Sequence, residues 1–492
     1  MSTDPPRTIV GPALAIAAAL LSARVWFIAH RALDLDEFEH VHAAWSVARG
    51  LLPYRDFFEP HPPALYFLFA PLFAGARVAS DPATAVRALI AARAAMWLLT
   101  IASVAVVYRL GALVRNRTSA AIAVVLLATS SQFLESMLEI RPDVPAVLCL
   151  LTAIWCITTA EERGRSLRPS VYVVGGLAYG ASLLFTQKTL FAAPGLAVAL
   201  MRMDRRPTRA GLFAIGALAP LAMTASWFDA EGALAPLWYD TVTITGRLNA
   251  DGFSPLPRLV SNVVQQPAIY VLGIAGILAA MRPQPTSPGR HAAIVYTALS
   301  LVAGIFVIGR AYDQYYALLL PLLAVLGGAL AGSLEAELSH RRVRAAAAAL
   351  LFAAAELSFS NYVRNFKPIA PQIDAMSWVM QHTAPRDEYL GGSPDAALFR
   401  PHAWFYFFLT GAFAADADYR ALQSALESGA MRPRLVVMDT YFQQRAPAPL
   451  LAYVGAQFRR AHGDLYLRQS EYGRSALKAS DASERFDRPL TR

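Results

Sequence analysis

Charge and reactive sulfur are both scarce in this chain. Only 16% of its 492 residues are charged, against 56% hydrophobic, a ratio that excludes an ordinary soluble protein of this length and implies a polytopic membrane protein. The two cysteines, Cys149 and Cys156, stand seven residues apart in one apolar segment. Along a helix that is about 10 Å, beyond disulfide reach, so neither a disulfide framework nor a cysteine-based metal knuckle is available. Lysine is reduced to Lys188, Lys367 and Lys478, and the net charge of +9 therefore comes from arginine. That excess does not mark a nucleic-acid surface, because many of the arginines lie in short loops between apolar runs, where the positive-inside rule accounts for them. A glycine-rich nucleotide loop in a suitable context, an internal repeat and a low-complexity tract are also missing.

What is present is a series of apolar runs from Ile9 to Phe359, many of them near the 20 residues a span needs. Eleven candidate spans are predicted: 9–30, 88–108, 119–138, 144–160, 170–186, 189–203, 210–228, 263–281, 292–309, 317–334 and 343–359. The first is expected to be an uncleaved span, since it lacks a small-residue cleavage site. Loops 109–117, 163–168, 202–209, 282–290 and 341–344 each carry two to four arginines and are assigned to the cytoplasmic side. Segment 62–80, bracketed by Pro62, Pro63 and Pro71, is expected to be interfacial or re-entrant. Parity then places the loop after the first span, Glu135 to Asp143, Lys188, 229–258, Arg310 to Tyr316 and the tail on the opposite, external side. The boundary near residue 360 divides a membrane domain (1–360) from a C-terminal domain (361–492). In the latter, helical stretches near 373–382, 417–427 and 447–459 alternate with strand-like Tyr389-Leu390, 434–439 and 464–468, which reads as a small α/β domain.

The chemistry is concentrated between residues 34 and 63, which hold six carboxylates (Asp34, Asp36, Glu37, Glu39, Asp56, Glu59) and three histidines (His40, His42, His61). So many carboxylates beside apolar surface are costly unless they serve a site. Phe38, Val41, Trp45 and Ala48 recur with helical spacing and Gly50 is a natural stop, so an amphipathic helix on the outer membrane surface is predicted, with Asp36 and Glu39 forming its capping box. Glu59-Pro60-His61-Pro62-Pro63 ends one element and begins another. External cations follow: Arg141, in Arg141-Pro142-Asp143 with Asp143 or Glu139 as local partner, Lys188, and Arg310 ahead of Tyr312, Tyr315 and Tyr316. Cations and carboxylates on one face suggest a phosphorylated ligand. A divalent metal is not favoured: His40 shares a face with Asp36, but His42 points elsewhere and the ligand set is incomplete.

An acidic pair after the first span, a Pro-Pro element about twenty residues on, Arg-Pro-Asp after a later span, an external lysine and a tyrosine-rich start to a late span together resemble the bacterial branch of the GT-C membrane glycosyltransferases. That group contains the protein O-mannosyltransferases and the aminoarabinose transferases that modify lipid A. The resemblance is diffuse and covers roughly residues 9–335. It implies a GT-C fold, a polyprenyl-phosphate-sugar donor, and action on the periplasmic face of a bacterial inner membrane. Carried onto this chain, it makes Asp36 the catalytic carboxylate, with Glu37 and Glu59 in the same cavity. The family's usual lysine in the Pro-Pro element is His61 here, and neutral imidazole is a weaker anion partner.

The chemistry has its own logic. A phosphate leaving group needs little acid assistance, so one carboxylate base and a cationic clamp suffice, and direct displacement inverts the anomeric centre. The expected clamp is Lys188, Arg141 and Arg310, with His61, Tyr315 and Tyr316 beside the phosphate and Asp143 and His40 in support. Membrane lipids and a lipid, glycan or protein acceptor are the expected partners, and nucleic acid is not. A transporter or flippase of lipid-linked sugars would also use external cations, but would be expected to show paired halves or charges at the bilayer midplane, and neither is evident.

Overall fold

The computed structural model describes residues 10–163, 169–203, 207–244, 246, 254–282, 292–308, 312–337, 357, 360, 363–408 and 417–469. The chain divides into two compact units. The first comprises Met1–Arg31, His61–Leu65 and Ala92–Lys367, and the second Ala32–Pro60, Tyr66–Ala91 and Pro368–Arg492. The second unit thus takes up tail sequence from residue 368, near the expected boundary, and also the acidic segment that follows the first span.

The first unit is helical. Among the described residues, four helices are long and apolar enough to cross a bilayer: α1 (Val10–His30), α4 (Pro82–Val114), α7 (from Asp143) and α10 (Pro207–Ala230). Two further spans arise if each sharply bent pair counts as one, α5 (Arg117–Ala128) with α6 (Ser131–Leu138), bent by 70°, and Pro255–Gln265 with Pro267–Met281, bent by 112°. The first break follows from its sequence: the Ser130 hydroxyl accepts the Phe133 N–H and starts a new helix. Other expected spans coincide with shorter apolar helices, α8 (Ser170–Phe185), Ala292–Ile308 and Leu320–Leu334, and the expected span 189–203 with the 11-residue helix α9 (Ala193–Met203). The expected span 343–359, residue 357 apart, and arginine-rich stretches 164–168, 204–206, 283–290 and 341–344 lie outside the described residues. Helix α3 (Ala64–Phe73) has ten residues, half the length of a span.

Lipid suits this unit, since Leu98, Ile215, Met223, Val264, Leu278 and Val307 all present most of their side chains outward. Its helices meet through small residues, as expected where hydrophobic driving force between helices is weak. A Cβ at Gly176 or Gly180 on α8 would overlap the Phe213 or Ala217 carbonyl of α10, and one at Gly216 on α10 would strike the Val173 carbonyl in return. Gly328 makes the same close approach to Ser119 of α5.

The second unit carries helix α2 (Leu35–Ala48) and a four-stranded mixed sheet in the order β1 (Tyr389–Gly391), β2 (Leu435–Val437), β4 (Leu465–Arg468), β3 (Phe458–His462). β1 and β2 are parallel, while β2–β4 and β4–β3 are antiparallel. The alternation expected of the tail is present as helices Ala370–His382, Tyr419–Glu427 and Ala448–Gln457 interleaved with β1, β2 and β4. β3 was not expected, because Phe458-Arg-Arg-Ala-His continues the preceding helix without a glycine or proline stop. Leu422, Leu426, Val436, Phe442, Leu450, Val454 and Phe458 form the core on one face of the sheet, and Val379, Leu435, Val437, Leu465 and Leu467 on the other.

Helix α2 differs from its expected setting. It is not a surface helix with a solvated polar face, because every residue from Glu37 to Ser46 is buried, including Glu39, His40 and His42. Its start also differs: Asp34, not Asp36, is the N-cap. The Asp34 side chain accepts the N3 amide, the Glu37 side chain accepts the Asp34 N–H at 2.9 Å, and together they form the capping box that had been expected of Asp36 and Glu39. The helix ends at Arg49 and Gly50, where φ is +89° and glycine is favoured.

Candidate active site

In the second unit, Asp36 is half-buried on the first turn of α2 and is not the helix cap. Its neighbour is Tyr441, which stands in the field of Asp36 and Asp34 and whose phenol pKa is raised by burial first and by those carboxylates next. Glu37 is fully buried and engaged in the capping box. Glu59 is fully buried as well, with the Tyr66 hydroxyl hydrogen-bonded to it and Glu39 close by. The His40 Nδ1 lies 3.4 Å from the same hydroxyl. Asp56, part of the carboxylate crowd in the sequence, is a turn-former that accepts the Leu52 N–H at 2.7 Å beside Tyr54, whose φ is +70°.

His42 is separated from that set. Its Nδ1 donates to the Leu398 carbonyl at 2.9 Å, and its Nε2 shares a hydrogen bond with Nδ1 of His402 at 2.8 Å. Burial, followed by the His402 charge, holds His42 well below the ordinary imidazole pKa of 6.5. Burial and Arg49 bring His402 down to about 4. This pair ties α2 to the segment after β1 and was invisible in the sequence, since 360 residues separate its members.

In the first unit, the link between α6 and α7 supplies the cationic set. Glu139 is ion-paired to both Arg31, at 2.8 Å, and Arg141, so of its two expected partners Arg141 takes Glu139. Asp143 is left to Lys188, whose Nζ lies 2.8 and 3.1 Å from its two carboxylate oxygens. Lys188 also stands 4.6 Å from the centre of the Tyr315 ring, a cation–π contact. Tyr316 turns away from this group: it is buried against Tyr270 at 6.3 Å, with its hydroxyl 3.5 Å from the Pro255 carbonyl. Arg310 lies outside the described residues, and His61 is half-buried at the start of the Pro-Pro element.

Two arginines that sequence reading missed complete the set. Arg31 bonds Glu139, and Arg93 of α4, 1% exposed, donates to the Arg31 carbonyl at 2.6 Å and the Ile28 carbonyl at 3.3 Å. A buried arginine inside an apolar helix was the available signal. Glu135 also stands in the field of Arg31 and Glu139, so cations and carboxylates are interleaved in this group. A small hollow of about 10 Å³ opens at Lys188, walled by Phe191, Leu301, Ile305, Ile308, Tyr315 and Leu318. At that volume the hollow has room for about one water, with the lysine charge at its apolar wall.

Known proteins resemble the chain in part of its sequence and in its fold. Residues 60–228 match the family described as Dolichyl-phosphate-mannose-protein mannosyltransferase. No curated protein matches the chain by sequence. Among solved structures, ArnT from Cupriavidus metallidurans bound to undecaprenyl phosphate is similar at 14% identity over 94% of this chain and 98% of that one, with a TM-score of 0.61. Its apo state is similar at 12% identity over 93% and 98%, with a TM-score of 0.62. The archaeal oligosaccharyltransferase AglB from Archaeoglobus fulgidus, in complex with an inhibitory peptide and a dolichol-phosphate, is similar at 14% identity over 88% and 70%, with a TM-score of 0.55. Residues 60–228 thus carry the sequence pattern of that mannosyltransferase family, and nearly the whole chain shares its fold with the ArnT and AglB structures. With four helices long and apolar enough to cross a bilayer among the described residues, it is a multi-pass membrane protein.

Proposed function

We propose that the chain transfers a sugar from a polyprenyl-phosphate carrier to an acceptor on the periplasmic face of a bacterial inner membrane, with inversion at the anomeric carbon. The acceptor hydroxyl or amine attacks the anomeric carbon and gives its proton to the Asp36 carboxylate. The bond from that carbon to the phosphate oxygen breaks, and the carrier phosphate leaves with the electron pair. Lys188, Arg141, Arg31 and Arg310 offset the charge on that phosphate, Tyr315 holds the lysine, and Asp143 aims it. Glu59 and Glu37 act as supporting carboxylates and His61 as a polar contact.

The observation that carries this reading is Lys188 at the head of an apolar-walled hollow, held by Asp143 and Tyr315. Further support comes from the polyprenyl phosphates seen in both similar structures. The test is transfer by the purified full-length protein in nanodiscs, supplied with polyprenyl-phosphate sugars and with envelope glycolipids, glycans or peptides as acceptors. A glycosylated product of inverted configuration is expected. Product of retained configuration would overturn the single-displacement step, and no consumption of any such donor would overturn the donor class.

A further inference from the structure

The sheet of the second unit has two chemically different ends. At the carboxyl ends of β1 and β2 lie Asp439 and Tyr441, the latter in the field of Asp36. At the other end, where β1 and β2 begin and β4 finishes, a cavity of about 670 Å³ opens, lined by Arg386, Arg432, Arg434, Arg468, Tyr453 and Gln457 among others. The 14 residues of α2 bridge the two ends, since Asp36 opens the helix near Tyr441 and Arg49 closes it facing Glu388 at the cavity. By helix rise the separation is about 20 Å. The cavity is therefore distinct from the carboxylate set that includes Asp36.

Its charge is unbalanced. Arg434 is paired with Asp387 at 3.1 Å and Glu388 faces Arg49, while Glu427, which accepts from the neutral Gln423 amide at 2.7 Å, keeps its charge, so that four arginines face three carboxylates in the lining. Arg386, Arg432 and Arg468 have no carboxylate partner among the described residues. Arg432 Nε donates to the Gly429 carbonyl at 2.9 Å, which fixes the guanidinium and leaves its charge unneutralised. Arg468 is held more firmly: Nε donates to the Pro433 carbonyl at 3.1 Å and the guanidinium lies 5.0 Å from the centre of the Phe458 ring. Its Nη2 is buried with no hydrogen-bond partner among the described residues. A guanidinium held in place, beside two further arginines without a carboxylate partner, is the arrangement that recognises a phosphate.

We propose that this cavity is an anion site for a phosphorylated saccharide. The volume exceeds what inorganic phosphate needs and matches a small organic ligand. The walls are polar rather than apolar, which disfavours a lipid tail, and Tyr453 and Gln457 offer a ring face and an amide to a sugar. The phosphate can belong to a soluble sugar phosphate or to a phosphorylated lipid head group.

Calorimetric titration of the full-length protein in detergent with glucose 1-phosphate addresses the soluble source. Flotation of the protein with vesicles containing phosphatidic acid, against neutral phosphatidylcholine vesicles, addresses the head group. Saturable binding of either probe is expected, weakened by salt and reduced about tenfold or more by Arg468→Ala. Arg432→Ala, at an exposed position away from the Phe458 stack, is expected to weaken binding with the fold intact, so loss of folding in the Arg468 variant would not decide the outcome. Absence of binding to both probes at about 10 mM phosphate, weaker than any useful affinity, would overturn the proposal. So would binding unchanged in Arg432→Ala and in a folded Arg468→Ala or Arg468→Gln.

Discussion

Lys188 and Asp143 form a buried bidentate pair, with Nζ 2.8 and 3.1 Å from the two carboxylate oxygens and Asp143 2% exposed. The pair sets the lysine charge at a fixed point under the Tyr315 ring. Its energetics are asymmetric: removing one partner strands the other charge in a dry site, whereas removing both does not.

That asymmetry separates a binding lysine from a merely structural one. Lys188→Ala should cost roughly 3–5 kcal/mol of stability by leaving Asp143 uncompensated, and should raise the donor KM. Lys188→Ala with Asp143→Ala should recover much of the stability and none of the donor affinity. Thermal melting and donor titration on the same two proteins read both quantities. Donor affinity restored in the double variant would confine Lys188 to a structural role.

Because Asp34 rather than Asp36 caps α2, substitution at Asp36 is free of a capping artefact. Asp36→Asn is expected to retain the fold and to lose transfer by about 10²- to 10⁴-fold, the span of general-base catalysis. Asp34→Ala should do the reverse, costing about 1 kcal/mol as a lost cap with the chemistry retained. Circular dichroism melting and a transfer assay distinguish the two, and full activity in Asp36→Asn would remove it as the base.

The His42–His402 pair makes stability depend on pH with a definite sign. Burial holds both folded-state pKa values below the unfolded value of 6.5, His402 at about 4. The unfolded chain therefore binds more protons between those values, and the contribution is fully present above pH 6.5 and lost as pH falls toward 4. Replacing His402 with Gln should flatten the fall in melting temperature over that window. An identical pH slope in wild type and variant would sink the assignment.

Asp395 acts in the opposite direction. Burial, with Asp439 adding, raises its pKa from 3.8 to about 6 despite the Ser393 hydroxyl bond, so its protonated form is favoured in the fold. Its contribution grows as pH falls from about 6 toward 3.8 and is missing at neutrality. Asn retains an acceptor for Ser393 and tolerates the positive φ of +32°. Asp395→Asn should therefore raise the melting temperature near neutral pH by a few degrees, and a lowered one would contradict the burial argument.

Helix contacts in the membrane unit are set by missing side chains. Gly180→Leu should prevent α8 and α10 from closing and reduce the yield of folded protein, because its Cβ would meet the Ala217 carbonyl and the Pro220 ring. Gly211→Ala, also on α10 but with nothing within 4 Å of the added atom, should be neutral or mildly stabilising. Size-exclusion profiles of the two variants provide the check.

Several features follow from local sequence alone. Apolar run length and arginine placement carry the membrane class, because a bilayer imposes a length and a polarity that any single run reveals. The alternation in the tail is legible because amphipathic period and turn residues act within a few positions. Asp36, Glu59, Arg141 and Lys188 could be singled out from local context, since charge beside apolar surface is costly wherever it occurs. The role of each was not legible in the same way. Only the tertiary structure assigned the cap to Asp34, gave Asp143 to Lys188, and buried α2 on all sides. It also joined His42 to His402 across 360 positions and gathered arginines from four loops and strand ends into one cavity. Each of these is a choice among partners of similar chemistry, and what decides it is distance after folding together with the cost of leaving a buried charge or donor unsatisfied.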